Sequence, residues 1–268
     1  MSVQAAAEIL VPAAASRGLP GPAVSFAGVS KVYGRGQHAV LAVDRLSLDV
    51  SPGEFVCLVG ASGCGKSTLL SMAAGLEPVS GGRIEVAAGH RPALMFQEPA
   101  LLPWLTVRAN VDLALKMRGV PRGDRETLAR DLLGNVHLGD FADKRPHELS
   151  GGMRQRVALA RTLAQETPVL LMDEPFAALD AMTRDVLHDE IERIWRDRRL
   201  TVLFVTHNVR EAARLGDRIV LLSSRPGRVV EVYPVDVARP RRIDSPEIAR
   251  LAATVTDRLR AEVRRHGQ

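Results

Sequence analysis

The chain has 268 residues, of which 46% are apolar and 25% charged, and these proportions are typical of a globular protein with a full core. It carries 36 lysines and arginines against 31 acidic residues, and a net charge of +5 is weak evidence for a nucleic-acid or membrane partner. No apolar run reaches the roughly 18 residues that a membrane-spanning helix needs, so the sequence predicts none.

The two ends of the chain differ in composition from the middle. Residues 1–22 are rich in alanine but lack the basic start and continuous apolar segment of a secretory signal, so we expect a disordered leader. Residues 23–240 are expected to form one domain, and the basic tail 241–268 a further helix. Cys57, in a predicted strand, and Cys64, in a glycine-rich loop, do not suggest a disulfide, which is typical of a reducing cytoplasm.

The first third of the chain predicts short strands in front of a larger sheet. Residues 23–33 and 41–50 show the alternation of a strand, and a glycine turn leads into a further strand at 83–86. These segments predict a small antiparallel sheet beside a parallel core. Tyr33, in the first of them, is placed either to stack on an adenine ring or simply to pack within the strand.

The most specific pattern in the sequence is G-x-x-x-x-G-K-[ST], which follows the apolar run 55–59 and precedes a helix predicted at 69–75. In such a loop the backbone N–H groups and the helix N-terminus bind phosphate. Lys66 would reach the β- and γ-phosphates of a nucleotide, and the Ser67 hydroxyl would ligate Mg²⁺. The candidate binding residues are Gly60, Ala61, Ser62, Gly63, Cys64, Gly65, Lys66, Ser67 and Thr68.

Cys64 lies between two glycines of this loop, next to Lys66 and the predicted helix start. A neighbouring cation and a helix N-terminus both lower the pKa of a thiol, so we expect Cys64 to be the more reactive cysteine. A maleimide should then modify it first, and a bound nucleotide should slow the reaction. Cys57 lies among apolar strand residues and should be shielded.

Two further features follow the next strand, predicted at 93–96. Gln97 carries a side-chain amide suited to bind Mg²⁺ or hold a water, although exposed glutamines are common. After it, the apolar, proline-interrupted segment 101–105 includes Trp104, which belongs either to the core or to a partner contact. Residues 107–143 then follow a helical pattern that residues 121–124 divide in two.

Another helix is predicted to begin at Ser150, whose side chain is a natural N-cap. Gly151 and Gly152 in its first turn cost about 1 kcal/mol each relative to alanine, which suggests that something approaches the backbone closely there. An exposed helix N-terminus is a second phosphate site, but a plain capped helix fits the same residues.

Polar side chains also end two later apolar strands. The apolar strand predicted from Val169 ends in two carboxylates, Asp173 and Glu174, and carboxylates at the end of so apolar a strand favour an active site. Asp173 would hold the Mg²⁺ shell, and Glu174 would orient and deprotonate a water molecule. The strand at 201–206 ends at His207, which is either structural or a third polar residue at the same edge.

Together these features resemble the ATP-binding subunit of ABC transporters, and the resemblance covers nearly the whole chain after residue 23. Seven of the family's motifs occur in the family's order. They are the adenine-stacking aromatic (Tyr33), the Walker A loop (60–68), the Q-loop (Gln97), the signature (149–153), the Walker B pair (Asp173 and Glu174), the D-loop (179–180) and the switch histidine (His207). The segments 101–104 and 224–228 resemble the nitrate, sulfonate and taurine importer branch. Met153 and Ala178 depart from the broad family, which usually has glutamine and serine there.

The resemblance implies an α/β fold with a P-loop core, an antiparallel β subdomain and a helical subdomain at about 99–161. It implies an ATPase with ATP and Mg²⁺ as cofactors. The implied catalytic residues are Glu174, His207 and Gln97, and the implied metal ligands are Ser67, Gln97 and Asp173. A second copy would complete the site in an ATP-sandwich dimer with its Ser150, Gly151 and Gly152.

The resemblance also implies partners. We expect an integral-membrane permease and, indirectly, an external solute-binding protein, with the chain peripheral at the cytoplasmic face of the inner membrane. The transported solute would be a small anion of the nitrate, sulfonate or taurine type.

Two other functions are compatible with parts of the sequence. A soluble ABC ATPase acting on nucleic acid or ribosomes would account for the basic charge, but the stretch between Lys66 and Ser150 is too short for the long coiled coil of chromosome-type relatives. A small-molecule P-loop kinase would leave the signature helix and His207 without a role. We therefore expect no nucleic-acid partner.

Overall fold

The computed structural model describes residues 21–87, 91–177 and 179–266, and these residues form two sheets and seven α-helices. The strands are β1 (Val24–Tyr33), β2 (Val40–Val50), β3 (Phe55–Val59), β4 (Gly81–Val86), β5 (Ala93–Met95), β6 (Val169–Asp173), β7 (Thr201–Val205), β8 (Arg218–Leu222) and β9 (Val229–Pro234). The helices are α1 (Lys66–Ala73), α2 (Val107–Met117), α3 (Arg122–Asn135), α4 (Gly151–Leu163), α5 (Ala181–Arg198), α6 (Val209–Leu215) and α7 (Pro246–His266). Nearly all of the expected leader 1–22 lies outside the described residues, as does Ala178.

The larger sheet has six strands in the order β5-β6-β7-β3-β8-β9. All neighbouring pairs are parallel except β8 and β9, which run antiparallel at the edge. Every residue of β3 and of β7 is buried, as expected for the centre of a parallel sheet covered on both faces. Because β3, β6 and β7 are parallel, the residues that follow them lie at one edge of the sheet.

The smaller sheet has three antiparallel strands in the order β2-β1-β4, as the alternation in the sequence predicts. Its apolar face packs against one face of the larger sheet and against α1, and the shared core includes Phe26, Leu48, Leu58 and Leu70. The other face of β3, with Phe55 and Cys57, belongs to the second core cluster. The two sheets therefore hold the loop between β3 and α1 between them.

Helices α2, α3 and α4 lie between β5 and β6 in the chain and pack on one another. The break between α2 and α3 falls at residues 118–121 rather than at the predicted 121–124, and Pro121 is the N-cap of α3. A proline lacks the N–H that a helix interior requires and disfavours helical backbone before it, so it begins a helix more readily than it separates two. Helix α3 ends at Asn135, and residues Gly139–Phe141 form a 3₁₀ turn instead of continuing the predicted helix.

The C-terminal segment contains helix α7, which packs against α6. Ile248, Ala252 and Val255 on its inner face are buried in the core that contains Phe55. Before it, the buried Arg241 donates to the carbonyl oxygens of Val235 and Val237. No helix in the described part of the chain has the length and apolar character needed to cross a bilayer.

Candidate nucleotide-binding site

The loop between β3 and α1 has a backbone that glycine makes possible. Gly63 and Gly65 have φ angles of +72° and +97°, in the left-handed region that favours glycine. A Cβ on Gly65 would also lie 2.9 Å from the carbonyl oxygen of Ala42 on β2. A loop curled in this way can present successive backbone N–H groups to an anion.

Lys66 is the first residue of α1, and its side chain turns back into this loop. Its ammonium donates to the carbonyl oxygens of Gly60 and Ala61, both at 2.9 Å, and is nearly fully buried. The positive charge therefore lies inside the curve of the loop, where it adds to the partial charge of the helix N-terminus.

A cavity of about 530 Å³ extends from this loop toward the β1–β2 hairpin. It brings together the predicted Tyr33, Gln97 and Glu174 with most of the predicted loop. Its lining residues are Tyr33, Val40, Ala42, Ser62, Gly63, Gly65, Lys66, Ser67, Thr68, Gln97, Glu174 and Arg225. Val40, Ala42 and Arg225 are the residues of this set that the sequence did not mark as site residues, and of these three Arg225 alone is charged.

The expected lowering of the Cys64 pKa is wrong. Its side chain is only 1% exposed, and the thiol lies beneath the loop against Gly60. Burial raises the pKa of Cys64, and the nearby Lys66 ammonium, which lowers it, does not compensate. The sequence showed the cation and the helix start but gave no sign that the side chain points away from the cavity.

Asp173 at the end of β6 has the environment of a metal ligand. Burial raises the pKa of its carboxyl group, the Ser67 hydroxyl opposes this by a hydrogen bond, and Glu174 raises it further. Its buried Oδ1 has no hydrogen-bond partner among the described residues. An orphaned carboxylate oxygen close to a hydroxyl fits a small hard cation, which prefers oxygen ligands.

The described residues contain no group of three or more histidine, cysteine or acidic side chains placed to hold a metal ion. Mg²⁺ does not need one, because it keeps several waters and takes one or two carboxylates together with substrate phosphates. Ser67 and Asp173, with the amide of Gln97 at the cavity wall, therefore form a donor set suited to Mg²⁺ rather than to a transition metal.

Glu174, the next residue, is held in an unusual backbone conformation. Its φ of +42° is rare for a residue with a side chain, and such strain occurs mostly at functional sites. Its N–H donates to the carbonyl oxygen of Val205 on β7 at 2.9 Å, which fixes the turn. The carboxylate at the cavity wall is 2.8 Å from Nδ1 of His207. Since an ionised carboxylate only accepts, Nδ1 donates in this contact.

A buried network lies behind His207 that the sequence analysis missed. The fully buried ring of His188 on α5 contacts Glu211 on α6 through Nε2 at 2.6 Å. The hydroxyl of Thr206 donates to the same carboxylate and accepts from the N–H of Asn208 at 3.0 Å. These contacts fix the backbone on both sides of His207, and no pattern along the sequence pairs α5 with α6 in this way.

At the start of α4 the predicted N-cap is confirmed, because the Ser150 hydroxyl accepts from the N–H of Met153 at 3.2 Å. A Cβ on Gly152 would lie 2.6 Å from Cγ2 of Thr183, so the close approach expected there comes from this chain's own α5. Gly151 is exposed, and its Cβ would meet only the Arg154 side chain at 4.0 Å. Ser150, Gly151 and Gly152 do not line the cavity of their own chain.

Helix α4 is also tied to the segment after β5 by side chains that the sequence analysis did not select. Gln155 donates to the carbonyl oxygen of Gln97 at 2.7 Å, and Arg161 donates to those of Pro99 and Ala100 at the same distance. Gln155 is nearly fully buried, but its burial is visible only in the structure, so nothing in the sequence singled it out. Through these bonds, the backbone that presents Gln97 to the cavity is linked to the signature helix.

The segment 101–105 is held by hydrogen bonds to α2, while Trp104 within it faces solvent. The buried Asn110 on α2 accepts from the N–H of Leu102 and donates to its carbonyl oxygen, at 2.8 and 3.2 Å. The Trp104 side chain is 66% exposed, which decides against the core alternative left open by the sequence. An exposed tryptophan on an ordered turn is typical of a contact surface.

These observations establish the general class of protein to which the chain belongs. A phosphate loop between a buried parallel strand and a helix, with carboxylates at the end of a second strand in the same sheet, is the arrangement of a P-loop nucleoside triphosphatase.

Comparison with known proteins narrows this class. The sequence pattern of the family described as ABC transporter matches residues 43–177. The chain is 47% identical over 242 residues to the aliphatic sulfonates import ATP-binding protein SsuB 1 of Mesorhizobium japonicum, covering 88% of each chain. It is 46% identical over 217 residues to the taurine import ATP-binding protein TauB of Burkholderia pseudomallei, covering 79% of this chain and 84% of that one.

A solved structure agrees with the sequence relatives. The dimeric post-hydrolysis structure of the ATP-binding cassette MJ0796, bound to ADP and phosphate, has a TM-score of 0.71 at 30% identity and covers 80% of this chain and all of that one. The chain belongs to the ABC transporter family and is one of its ATPase subunits.

Proposed function

We propose that the cavity binds MgATP and that Glu174 is the general base of its hydrolysis. The observation that carries this proposal is the single cavity in which Tyr33, the loop with Lys66, Gln97 and Glu174 meet. Tyr33 at the hairpin end would stack on the adenine, and the loop N–H groups with Lys66 would bind the phosphates.

The residues at the strand ends would carry the chemistry. Ser67, Asp173 and Gln97 would hold Mg²⁺, and its positive charge would offset the negative charge that develops on the phosphates in the transition state. Glu174 would take a proton from the attacking water, because a carboxylate accepts at both oxygens. His207 donates to that carboxylate and keeps it oriented toward the cavity.

The signature residues would act on the nucleotide of a second copy. Ser150, Gly151 and Gly152 do not reach the cavity of their own chain, and the helix N-terminus that they form is exposed at Ser150 and Gly151. Such a terminus binds an anion only if the anion is brought to it. The dimeric cassette structure of a relative supports this arrangement of two copies.

We also propose that the ATPase drives import through a membrane permease, at the cytoplasmic face of the inner membrane. The exposed Trp104, on a turn fixed by Asn110 and close in sequence to Gln97, is the surface that would contact the permease. The names of the relatives support a small sulfonate-type anion as solute, delivered by an external solute-binding protein. The relatives give no support to the nucleic-acid alternative.

Replacing Glu174 by glutamine tests the chemical role. The change keeps the shape of the side chain but removes the base, so the rate of ATP hydrolysis should fall by roughly 10²–10⁴ while ATP still binds. Glu126→Gln on the exposed part of α3 is the matched control and should keep the wild-type rate. Near-normal hydrolysis by a folded Glu174→Gln protein would remove Glu174 from this role.

A further inference from the structure

The turn between β8 and β9 is built against the phosphate loop. Gly227 donates its N–H to the carbonyl oxygen of Ala42 at 2.9 Å, and its own carbonyl accepts from the N–H of Asp44 at 3.1 Å. A Cβ on Gly227 would clash with the carbonyl oxygen of Cys64. The turn therefore lies directly on the phosphate loop and on β2, and only a glycine permits this approach.

Contacts within the turn fix its shape. The Ser223 hydroxyl donates to the carbonyl oxygen of Pro226 at 2.7 Å and accepts from the N–H of Arg228 at 2.9 Å. The Arg228 guanidinium pairs with Asp44 on β2, with Nε at 2.9 Å from the carboxylate. These bonds hold the turn in one arrangement while Arg228 is already occupied.

Arg225, at the tip of the turn, points into the cavity. Its side chain is exposed and lines the cavity, with Nε donating to the carbonyl oxygen of Gly63 at 3.3 Å. None of the ion pairs formed within the described parts of the chain includes Arg225. The basic residues of the cavity wall are thus Lys66, whose ammonium is engaged by loop carbonyls, and Arg225, whose terminal nitrogens face the space above Gly63.

We infer that Arg225 is a second cationic ligand of the nucleotide, and that its guanidinium binds the polyphosphate chain. This inference rests on the proposed binding of ATP in the cavity. A guanidinium carries a permanent positive charge with several N–H donors, and hydrogen bonds between charged groups are about twice as strong as neutral ones. The fixed turn places this positive charge beside the loop N–H groups that would bind the same anion.

The test is equilibrium binding of MgADP and, by competition, of inorganic tripolyphosphate to four proteins: wild type, Arg225→Gln, Arg225→Lys and Arg228→Gln. Arg225→Gln should weaken both ligands by about tenfold, the usual effect of removing one charge-assisted hydrogen bond. Arg228→Gln removes the same charge from the same turn and should bind both ligands like wild type. Arg225→Lys keeps the cation but not the Nε bond to Gly63, and it should recover most of the affinity.

Several results would overturn the inference. Wild-type affinity in Arg225→Gln would do so, as would an equal loss of affinity in Arg228→Gln. A loss confined to MgADP would assign Arg225 to the base or ribose. A loss of affinity in Arg225→Lys equal to that in Arg225→Gln would assign Arg225 to holding the loop. Lys66→Ala separates this inference from the proposed function. If Lys66→Ala binds MgADP normally, the cavity itself is wrongly assigned, whereas loss of binding there with normal Arg225→Gln contradicts only the role of Arg225.

Discussion

At Cys64, burial and local charge act on one thiol in opposite directions. The Lys66 ammonium and the start of α1 favour the thiolate, but the sulfur lies under the loop, and burial raises its pKa. Cys57, at the centre of β3, is fully buried, and its pKa is raised in the same way. Neither cysteine therefore has the exposed, low-pKa environment of a reactive thiol.

We predict that a maleimide at pH 7 leaves both cysteines of the folded protein essentially unmodified, and that both react once guanidinium unfolds the chain. Folding should slow the reaction by at least about tenfold, because a buried neutral thiol is inert. A Cys57→Ala variant makes Cys64 the single thiol, and mass spectrometry over time gives its rate. Equal rates for that variant in the folded and unfolded states would show that Cys64 is accessible.

The residues at the strand ends are the part of the site that the sequence alone could predict. Four site residues lie at or just after the end of an apolar strand: Gln97, Asp173, Glu174 and His207. Their common edge was therefore predictable once the strands were taken as parallel. The orientation of a side chain within its loop was not, because it depends on neighbours distant in sequence. Cys64 was misassigned for this reason.

At the scale of elements, the contact between α4 and α5 explains why position 152 is a glycine. Asp180 is the N-cap of helix α5. Its carboxylate accepts from the N–H of Thr183, and this cap sets the position of Thr183. The methyl group of Thr183 then fills the space beside Gly152. The glycine pair looked alike in the sequence, but the two residues have different surroundings in the fold.

We predict that Gly152→Ala lowers the free energy of unfolding by about 1–3 kcal/mol, because the added methyl overlaps Thr183 and must push the helices apart. Gly151→Ala adds the same group in open space and should raise the free energy of unfolding by up to about 1 kcal/mol, because alanine favours a helix over glycine. Urea unfolding measures both. Thr183→Ser removes the opposing methyl and should restore the stability of Gly152→Ala, and failure to do so would mean that another contact limits this position.

Contacts between elements are also what the sequence could not supply. The pairing of His188 with Glu211 joins α5 to α6, and that of Gln155 with Gln97 joins α4 to the end of β5. The alternation and helical periods place each element correctly, but they do not say which faces meet. Arg225 belongs to the same group, since its turn reaches the cavity only because β8 lies beside β3.

For the molecule as a whole, the exposed segment around Trp104 is the surface that we propose to contact the permease. Trp104→Ala should change the free energy of unfolding by less than about 0.5 kcal/mol, because the side chain is 66% exposed, whereas a core tryptophan would cost about 3–5 kcal/mol. The same variant should no longer co-purify with the permease from detergent-solubilised membranes. Met117→Ala, at a side chain 83% exposed, is the matched control and should co-purify normally.

Two results would contradict the assignment of Trp104 to the permease contact. A Trp104→Ala protein that melts early but still co-purifies would place the residue in a structural role. Loss of co-purification by Met117→Ala as well would show that the assay responds to any exposed apolar side chain.

Binding of ATP in one cavity should lead a second copy of the chain to close it. The most direct measurement is the mass of the Glu174→Gln protein by light scattering during size-exclusion chromatography, with and without MgATP. Without nucleotide the mass should be the 29.0 kDa of one chain, and with MgATP it should double, because the site closes but cannot hydrolyse. Adding Lys66→Ala should abolish the dimer. A Glu174→Gln protein that binds MgATP but keeps the mass of one chain would show that a second copy does not close the site.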